Sequence, residues 1–193
     1  MVTLVSGGLD STLMAVMAKE EGILQYPLFI DYGQINRDKE WSACLLVHEK
    51  NRLPKPSIMD LKGFGALVPS GLTDSTLRVN EDAFLPNRNL LFLMVGSSYA
   101  YIKGAKVVSI GLLSEEFHIF PDQTKTFILK AQEVIRLSLG YQITVIAPLM
   151  DFSKQEIMAL AKDKGVFGTY SCHLGGEIPC GTCISCMETK GGG

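Results

Sequence analysis

The chain has 193 residues, of which 47% are hydrophobic and 20% are charged, and its 18 basic and 20 acidic side chains leave a net charge of −2. A chain of this length and apolar content predicts one folded domain, and it excludes intrinsic disorder. A protein that grips duplex nucleic acid through its phosphates needs a basic surplus, which is lacking here. We therefore expect no direct nucleic-acid partner.

No stretch of the sequence predicts a membrane span or a signal peptide. The longest mostly apolar run, residues 90–100, is too short to cross a bilayer and contains Gly96, Ser97 and Ser98. We expect a buried helix there. The N-terminus passes from an apolar strand directly into a glycine turn, without the charged and apolar regions of a signal peptide. These features predict a cytoplasmic protein with no membrane partner.

Short apolar strands alternate with helical patterns along the chain. Strands are predicted at residues 2–5, 25–30, 56–59, 106–111 and 143–146. Between them apolar residues recur at helical spacing, as Leu13, Met14 and Met17 do after the first strand. This alternation predicts an α/β fold with a doubly wound, mainly parallel sheet covered by helices on both faces. Its ligands should lie at the carboxyl ends of the strands.

The junction after the first strand predicts an anion-binding loop. Its residues are Ser6, Gly7, Gly8, Leu9, Asp10, Ser11 and Thr12, and a helix starts at once. Adjacent glycines let the backbone approach a ligand, and serine hydroxyls and free helix N–H groups donate hydrogen bonds to it. A plain glycine turn with an Asp or Ser N-cap is the alternative. The chain contains no Gly-Lys dipeptide, so the lysine-bearing P-loop is absent.

Two further segments place polar groups beside predicted strand ends. After the second strand, Tyr32 can stack on an adenine ring, unless residues 31–33 form only a turn in which Asp31 caps the next helix. Arg88 and Asn89 stand at the mouth of the apolar helix. Since a buried arginine is costly without a partner, we expect Arg88 to meet a phosphate or carboxylate, an ordinary salt bridge being the alternative.

Four of the five cysteines cluster near the C-terminus, at Cys172, Cys180, Cys183 and Cys186. A double CxxC that shares its middle cysteine, preceded by a fourth thiol, suits tetrahedral zinc with every ligand position filled by protein. Such a metal is structural. An iron–sulfur cluster is the alternative. We interpret His173 as exposed and Cys44 as a core residue.

Several of these motifs together resemble one family. SGGLDS after the first strand resembles the pyrophosphate loop of ATP pyrophosphatases, whose fold is Rossmann-like, of the adenine nucleotide alpha hydrolase type. SGGLDST, DYGQ, PNRNLLFL and CHLGGEIPCGTCISC, spread over nearly the whole chain, resemble the 7-cyano-7-deazaguanine synthases of the queuosine pathway, QueC. That resemblance implies that 7-carboxy-7-deazaguanine is converted with ammonia to an amide and then to the nitrile, in two ATP-dependent stages.

The resemblance also implies roles for individual residues. ATP would be held by Ser6, Gly7, Gly8, Leu9, Asp10, Ser11, Thr12 and Tyr32. Asp10, Ser11 and Arg88 would be catalytic, with Asp10 also binding Mg²⁺ through water. The substrate would meet Arg88, Asn89, Glu115, Phe120 and Asp122, of which Glu115 and Asp122 would pair with the donor edge of the ring. A structural Zn²⁺ would take Cys172, Cys180, Cys183 and Cys186 as ligands.

The chain departs from the family pattern in two segments. Around the ring-binding region it keeps Glu115, Pro121 and Asp122 but lacks the usual Asn, Ser, Gly, Cys and Arg, and Ile35 and Asn36 replace an Arg-His pair. These departures predict retained adenylation with a slow or absent second stage, so that amide accumulates. The alternatives are a divergent amide-forming ligase that stops at the amide or uses another amine, including one in antiviral defence, and a nucleotide-binding module without turnover.

The expected organisation is a single domain over residues 1–193. It divides into an α/β nucleotide-binding core at 1–168 and a zinc-binding tail at 169–187. The expected partners are the small-molecule acid and ammonia. The sequence is compatible with a homodimer and, for a member of a defence system, with a protein partner.

Overall fold

The computed structural model describes residues 1–113 and 120–190, and it contains one five-stranded sheet. The strands are β1 (Val2–Val5), β2 (Tyr26–Asp31), β3 (Ser57–Asp60), β4 (Val107–Ser109) and β5 (Thr144–Ile146). Their order is β3-β2-β1-β4-β5, and every neighbouring pair is parallel. The predicted α/β class and parallel sheet are confirmed.

Helices pack on both faces of the sheet. They are α1 (Leu9–Glu20), α2 (Arg37–Lys50), α3 (Lys62–Leu67), α4 (Arg88–Ile102), α5 (Lys125–Leu139), α6 (Lys154–Asp163) and α7 (Ile184–Lys190). One core cluster joins Leu93 of α4 and Ile128 of α5 to the sheet. A second joins Leu13 of α1 to Ile157 of α6, and a third joins Cys44 of α2 to Val5 and Phe29 of the sheet. Both sheet faces are therefore covered, as a doubly wound fold requires.

The strand order places a crevice beside β1. The chain moves outward from β1 to β3 on one side, then returns to add β4 and β5 on the other. At such a reversal the loops that follow adjacent strands diverge to opposite faces, which opens a cleft at the carboxyl ends of the strands. The loops after β1, β2 and β4 all meet there.

Helix α4 corrects one expectation from the sequence. Leu93 and Ala100 are buried, but Met94 is 50% exposed and Ile102 is 75% exposed. Apolar residues lie all around this helix instead of forming a single stripe. The apolar run at residues 90–100 therefore did not indicate which face of the helix is exposed. In the part of the chain that the structure describes, no helix has both the length and the apolar character needed to cross a membrane.

Candidate active site

A cavity of about 310 Å³ lies at the carboxyl ends of the strands. The residues expected from the sequence that line it are Ser6, Gly8, Leu9, Asp10, Ser11, Tyr32, Arg88, Asn89 and Phe120. Further lining residues, which sequence reasoning missed as site residues, include Glu40, Ser171, His173 and Glu188. Loops from distant parts of the chain thus converge on one open cleft.

The loop after β1 is shaped by Gly7. Its φ is +80°, a left-handed conformation that side chains disfavour. A Cβ at this position would lie 2.5 Å from the carbonyl oxygen of Glu40 and 2.6 Å from the backbone nitrogen of Cys44. Only glycine therefore lets this loop turn while it packs against the first turns of α2.

The loop's hydroxyl groups hold one another in place. Ser11 Oγ accepts from the Ser6 N–H at 3.1 Å and lies 3.1 Å from Ser6 Oγ, which accepts from the Gly8 N–H at 3.2 Å. Thr12 Oγ1 donates to the Gly8 carbonyl at 2.8 Å, so it fastens the loop from behind. Because α1 begins at Leu9, its first N–H groups lack intrahelical partners, and they belong to residues that line the cavity.

Asp10 has a cationic partner. Lys154 Nζ donates to Asp10 Oδ1 at 2.8 Å and to Oδ2 at 3.0 Å. Lys154 begins α6, whose N-cap Ser153 and N3 residue Glu156 form a capping box. The Ser-x-x-Glu pattern was visible in the sequence and would have placed this lysine at a helix start near the carboxyl edge of the sheet. We refer to Ser6, Gly8, Asp10 and Ser11 as the loop wall of the cavity.

A second set of lining residues, which we call the charged wall, consists of Tyr32, Glu40, Arg88 and His173. The Arg88 guanidinium carbon lies 6.0 Å from the ring centroid of Tyr32 and 5.9 Å from that of Phe92. Among the described residues Arg88 Nε is buried without a hydrogen-bond partner. Burial raises the pKa of Tyr32 to about 12 in spite of the nearby cation, so the phenol stays protonated.

Glu40 is held between two side-chain amides. Gln34 Nε2 donates to Glu40 Oε2 at 3.1 Å, and Asn36 Nδ2 donates to Glu40 Oε1 at 3.1 Å. Burial raises the pKa of Glu40 to about 7, although both amides and the Arg88 charge favour the carboxylate. A carboxyl group that titrates near neutrality therefore faces the cavity.

His173 corrects a second expectation. It was interpreted as exposed, but it lines the cavity, and its Nδ1 is buried without a partner among the described residues. Burial, followed by the Arg88 charge, lowers the pKa of His173 to about 4, so the imidazole is neutral. Its adjacency to Cys172 in sequence gave no information on which way the imidazole faces.

Of the other residues expected to meet the substrate, Asn89 and Phe120 line the cavity, Asp122 contacts Asn89, and Glu115 is not described. Asn89 lines the cavity, and its Nδ2 donates to the backbone carbonyl of Asp122 at 3.1 Å. Asp122 Oδ2 accepts from the backbone N–H of Asn89 at 3.4 Å, so this carboxylate sits at the start of α4. Phe120 lines the cavity and packs on Phe84 with ring centroids 5.1 Å apart. Glu115 lies outside the described residues.

The four clustered cysteines are arranged as a metal site. The Sγ atoms of Cys172, Cys180, Cys183 and Cys186 all lie within 4.8 Å of one another, and all five cysteines are free thiols. Tetrahedral zinc with bonds of about 2.3 Å would separate its sulfurs by about 3.8 Å. The Cys180 and Cys186 sulfurs are 3.9 Å apart.

The sulfur of Cys180 is prepared as a ligand. Backbone N–H groups of Cys183 and Thr182 donate to it at 3.3 and 3.5 Å. The Thr182 and Cys183 N–H groups lower the pKa of Cys180 to about 6, which favours the metal-binding thiolate. The donor set and its geometry therefore fit a closed, structural site.

The cysteine segment, residues 170–186, is hydrogen-bonded to residues that adjoin each wall of the cavity. The Tyr170 N–H donates to the Gly7 carbonyl at 3.0 Å. Asn36 Nδ2 donates to the Cys172 carbonyl at 3.0 Å as well as to Glu40. Order in the cysteine segment is thus coupled to the shape of the cavity.

Structural comparison shows the fold. The chain superposes on a 4-thiouridine synthetase, solved with RNA and bound ATP, with a TM-score of 0.59 and 20% identity, covering 98% of this chain and about half, 48%, of that one. An NMN synthetase from Francisella tularensis matches with a TM-score of 0.54 and 15% identity, over 91% and 67% of the two chains. At such low identity the likeness extends to the fold alone.

Sequence comparison is more specific. 7-Cyano-7-deazaguanine synthase 2 of Desulfitobacterium hafniense (strain Y51) is 34% identical over 98% of this chain and 87% of its own length. The corresponding protein of Acetivibrio thermocellus is also 34% identical, over 96% and 89%. The model of the family described as "Queuosine biosynthesis protein QueC" matches residues 1–192. The chain belongs to the QueC family.

Proposed function

We propose that the protein is an ATP-dependent carbon–nitrogen ligase that converts 7-carboxy-7-deazaguanine and ammonia, through the amide, into 7-cyano-7-deazaguanine. The observation that carries this proposal is the family match over residues 1–192, with relatives named 7-cyano-7-deazaguanine synthase at 34% identity over nearly the whole chain. The cavity supports it, since the expected ATP and substrate residues largely converge there. Neither the amide-only ligase nor the module without turnover is favoured by these relatives.

The loop wall is the proposed pyrophosphate site. Backbone N–H groups at the start of α1 and the hydroxyls of Ser6 and Ser11 can donate to phosphate oxygens without moving the backbone. Lys154 adds a positive charge at Asp10. We infer that Mg²⁺ accompanies the phosphates of ATP and is bound by Asp10 through water, beside this lysine.

The charged wall is the proposed site of the acid. A carboxylate becomes a useful electrophile only when its oxygen is converted into a leaving group, which attack on the α-phosphate of ATP achieves. Arg88 is placed to orient the carboxylate or phosphate and to stabilise the negative charge of the transition state. The described lining contains no cysteine, and the proposed route through an acyl-adenylate uses no covalent enzyme intermediate.

Asn89 and Phe120 would contact the deazaguanine ring. Asn89 lines the cavity while its amide nitrogen is bonded to Asp122, so its side chain is held in place. Asp122 would act on the ring indirectly, by holding Asn89 in position. Tyr32 would pack against the nucleotide. The four clustered cysteines would hold one structural Zn²⁺.

Incubation of the protein with 7-carboxy-7-deazaguanine, ATP, Mg²⁺ and ammonium, with the products identified by mass, tests this function. Nitrile, AMP and pyrophosphate are expected. The departures around residues 111–124 predict that amide reaches a clear maximum before nitrile forms. Absence of AMP formation that depends on the acid would contradict the proposal, and amide as the sole end product would favour the amide-forming ligase.

A further inference from the structure

We propose that the carboxylate of Glu40 is the proton acceptor of this site, taking protons from the substrate nitrogen as the amide forms and again as the nitrile forms. The inference rests on the proposed function and adds a residue that none of the sequence motifs had singled out.

Glu40 is placed close to the proposed chemistry. Its backbone carbonyl lies against Gly7, between Ser6 and Gly8 of the loop wall, and Glu40 lines the cavity together with Arg88. The α-phosphate and the activated carboxyl carbon must lie between the loop that holds pyrophosphate and the arginine that orients the acid. A nucleophile that reaches this carbon therefore passes beside Glu40.

The surroundings of Glu40 suit a group that accepts and releases a proton without moving. The amides of Gln34 and Asn36 fix both carboxylate oxygens, and each oxygen keeps a lone pair for another donor. Within residues 1–113 and 120–190, the charged and titratable groups that interact with Glu40 are Arg88, Tyr32 and Cys44. Burial raises the pKa of Tyr32 to about 12 and that of Cys44 to about 12. Neither competes as a base at neutral pH.

The proton balance requires such an acceptor in both stages, for one proton in the first and for two in the second. In the first stage the lone pair of ammonia forms the new C–N bond, one N–H proton passes to Glu40, and the C–O bond breaks to release AMP. In the second stage the amide oxygen attacks the α-phosphate of another ATP and expels pyrophosphate. The nitrogen then loses its two protons in succession, Glu40 passing the first to solvent before it accepts the second, and the activated oxygen departs on AMP to leave C≡N. Adenylation of the acid itself removes no proton from carbon or nitrogen.

This difference allows a specific test with Glu40→Gln, which keeps the shape and removes the basic group. Exchange of labelled pyrophosphate into ATP, with the acid present and ammonia absent, reports adenylation alone and should stay within about threefold of the parent. Amide formation should fall by about 100-fold or more, as expected when a general base is lost. Glu49→Gln, an exposed change on the same helix α2, is the matched control and should alter neither rate.

The pH profile gives an independent reading. In the parent, amide formation measured at a fixed concentration of free ammonia should rise with pH through about 7, because the Glu40 carboxylate forms over that range. The rise should be absent in Glu40→Gln. Glu40→Asp keeps a carboxylate but has a shorter side chain, which sets the carboxylate farther from the substrate nitrogen. Amide formation in this variant should therefore still rise with pH, to a lower plateau.

The outcomes separate this inference from the proposed function. Equal amide formation and equal pH profiles in Glu40→Gln and Glu49→Gln would overturn the inference, and so would a parallel loss of exchange and amide formation. If Glu40→Gln does not fold, as judged by thermal unfolding, Glu40→Asp decides by the same two rates. Failure of the parent to exchange pyrophosphate with the acid would instead remove the proposed function.

Discussion

The two walls of the cavity differ in how their polar groups are satisfied. In the loop wall, Ser6, Gly8 and Ser11 bond to one another, and Asp10 is paired with Lys154. In the charged wall, Arg88 Nε and His173 Nδ1 have no partner among the described residues, and Glu40 has a pKa of about 7. Polar groups left in this condition cost stability, and they are retained where a ligand or a reaction uses them.

The difference indicates a division of labour. A self-bonded loop is already in the shape that binds an anion, so it provides affinity and position. Underbonded groups gain interactions only when substrate or transition state arrives, so they provide rate and selectivity. The predictions below test this division, from the largest expected effect to the smallest.

Loss of the metal should affect both walls at once. With zinc bound, the purified protein should contain about one zinc per chain and be colourless. Cys183→Ser should lower the free energy of unfolding by several kcal/mol, since a structural zinc site contributes on the order of 10 kcal/mol to folding. Metal analysis and thermal unfolding measure this.

Cys44→Ala, a buried cysteine outside the cluster, should keep the zinc and serves as the control. A brown protein that contains iron and sulfide would contradict the zinc assignment.

Ser11→Ala and Asp10→Asn test the loop wall. Each removes a group that we assign to the phosphates or their cation, so ATP-to-AMP turnover should fall about 100-fold or more, near 2.7 kcal/mol of transition-state stabilisation. Release of pyrophosphate is the measurement. Folding should be nearly intact, and Ser98→Ala on the exposed face of α4 is a control for the serine change. Unchanged turnover in both variants would remove the assignment of this wall.

The free energy of unfolding should depend on pH through the ionisation of Glu40. Folding raises its pKa from 4.5 to about 7, so between these values the folded protein keeps a proton that the unfolded chain has released. This group's contribution to stability therefore declines as pH rises through that window. The stability of Glu40→Gln relative to the parent should improve by roughly 1–3 kcal/mol between about pH 5 and pH 8. A difference that is independent of pH, in denaturant titrations, would contradict the assigned pKa.

Arg88→Met should slow adenylation yet leave the protein as stable or slightly more so. The change relieves an unpartnered buried nitrogen, worth about 1–3 kcal/mol, and forfeits ring contacts worth about 0.5–1 kcal/mol. The net expectation is a gain of about 1 kcal/mol. Arg136→Met is the contrast: Arg136 Nε donates to the Ile143 carbonyl at 2.6 Å, so its loss should destabilise. A marked loss of stability in Arg88→Met would show that Arg88 stabilises the fold, contrary to the role assigned to the charged wall.

The sequence was informative where the functional groups are contiguous. The strand pattern predicted the sheet, and the loop after β1 and the cysteine cluster were each legible because their residues stand within a few positions of one another. Glu40 and Lys154 come from two distant helix starts, so only the tertiary fold brings them to the cavity. Weak signals existed: Glu40 shares a helical stripe with buried Cys44 and Val47, and Ser153 begins a capping box.

Exposure was the property that sequence patterns predicted least well. His173 and the outer face of α4 were both assigned wrongly, because adjacency in sequence and local hydrophobicity do not specify which neighbours fold over a side chain. The roles of Asp10, Ser11 and Arg88 remain predictions for the experiments above, and the role of Glu115 remains a prediction from the family resemblance.

The two bonds donated by Asn36 have a practical consequence. One amide nitrogen serves both the Glu40 carboxylate and the carbonyl of Cys172. Molecules purified without their full complement of metal would therefore differ from loaded ones at the reacting end of the cavity as well as in the tail. Specific activity should follow the loaded fraction of each preparation, and turnover numbers from different laboratories should agree only after they are normalised to bound metal.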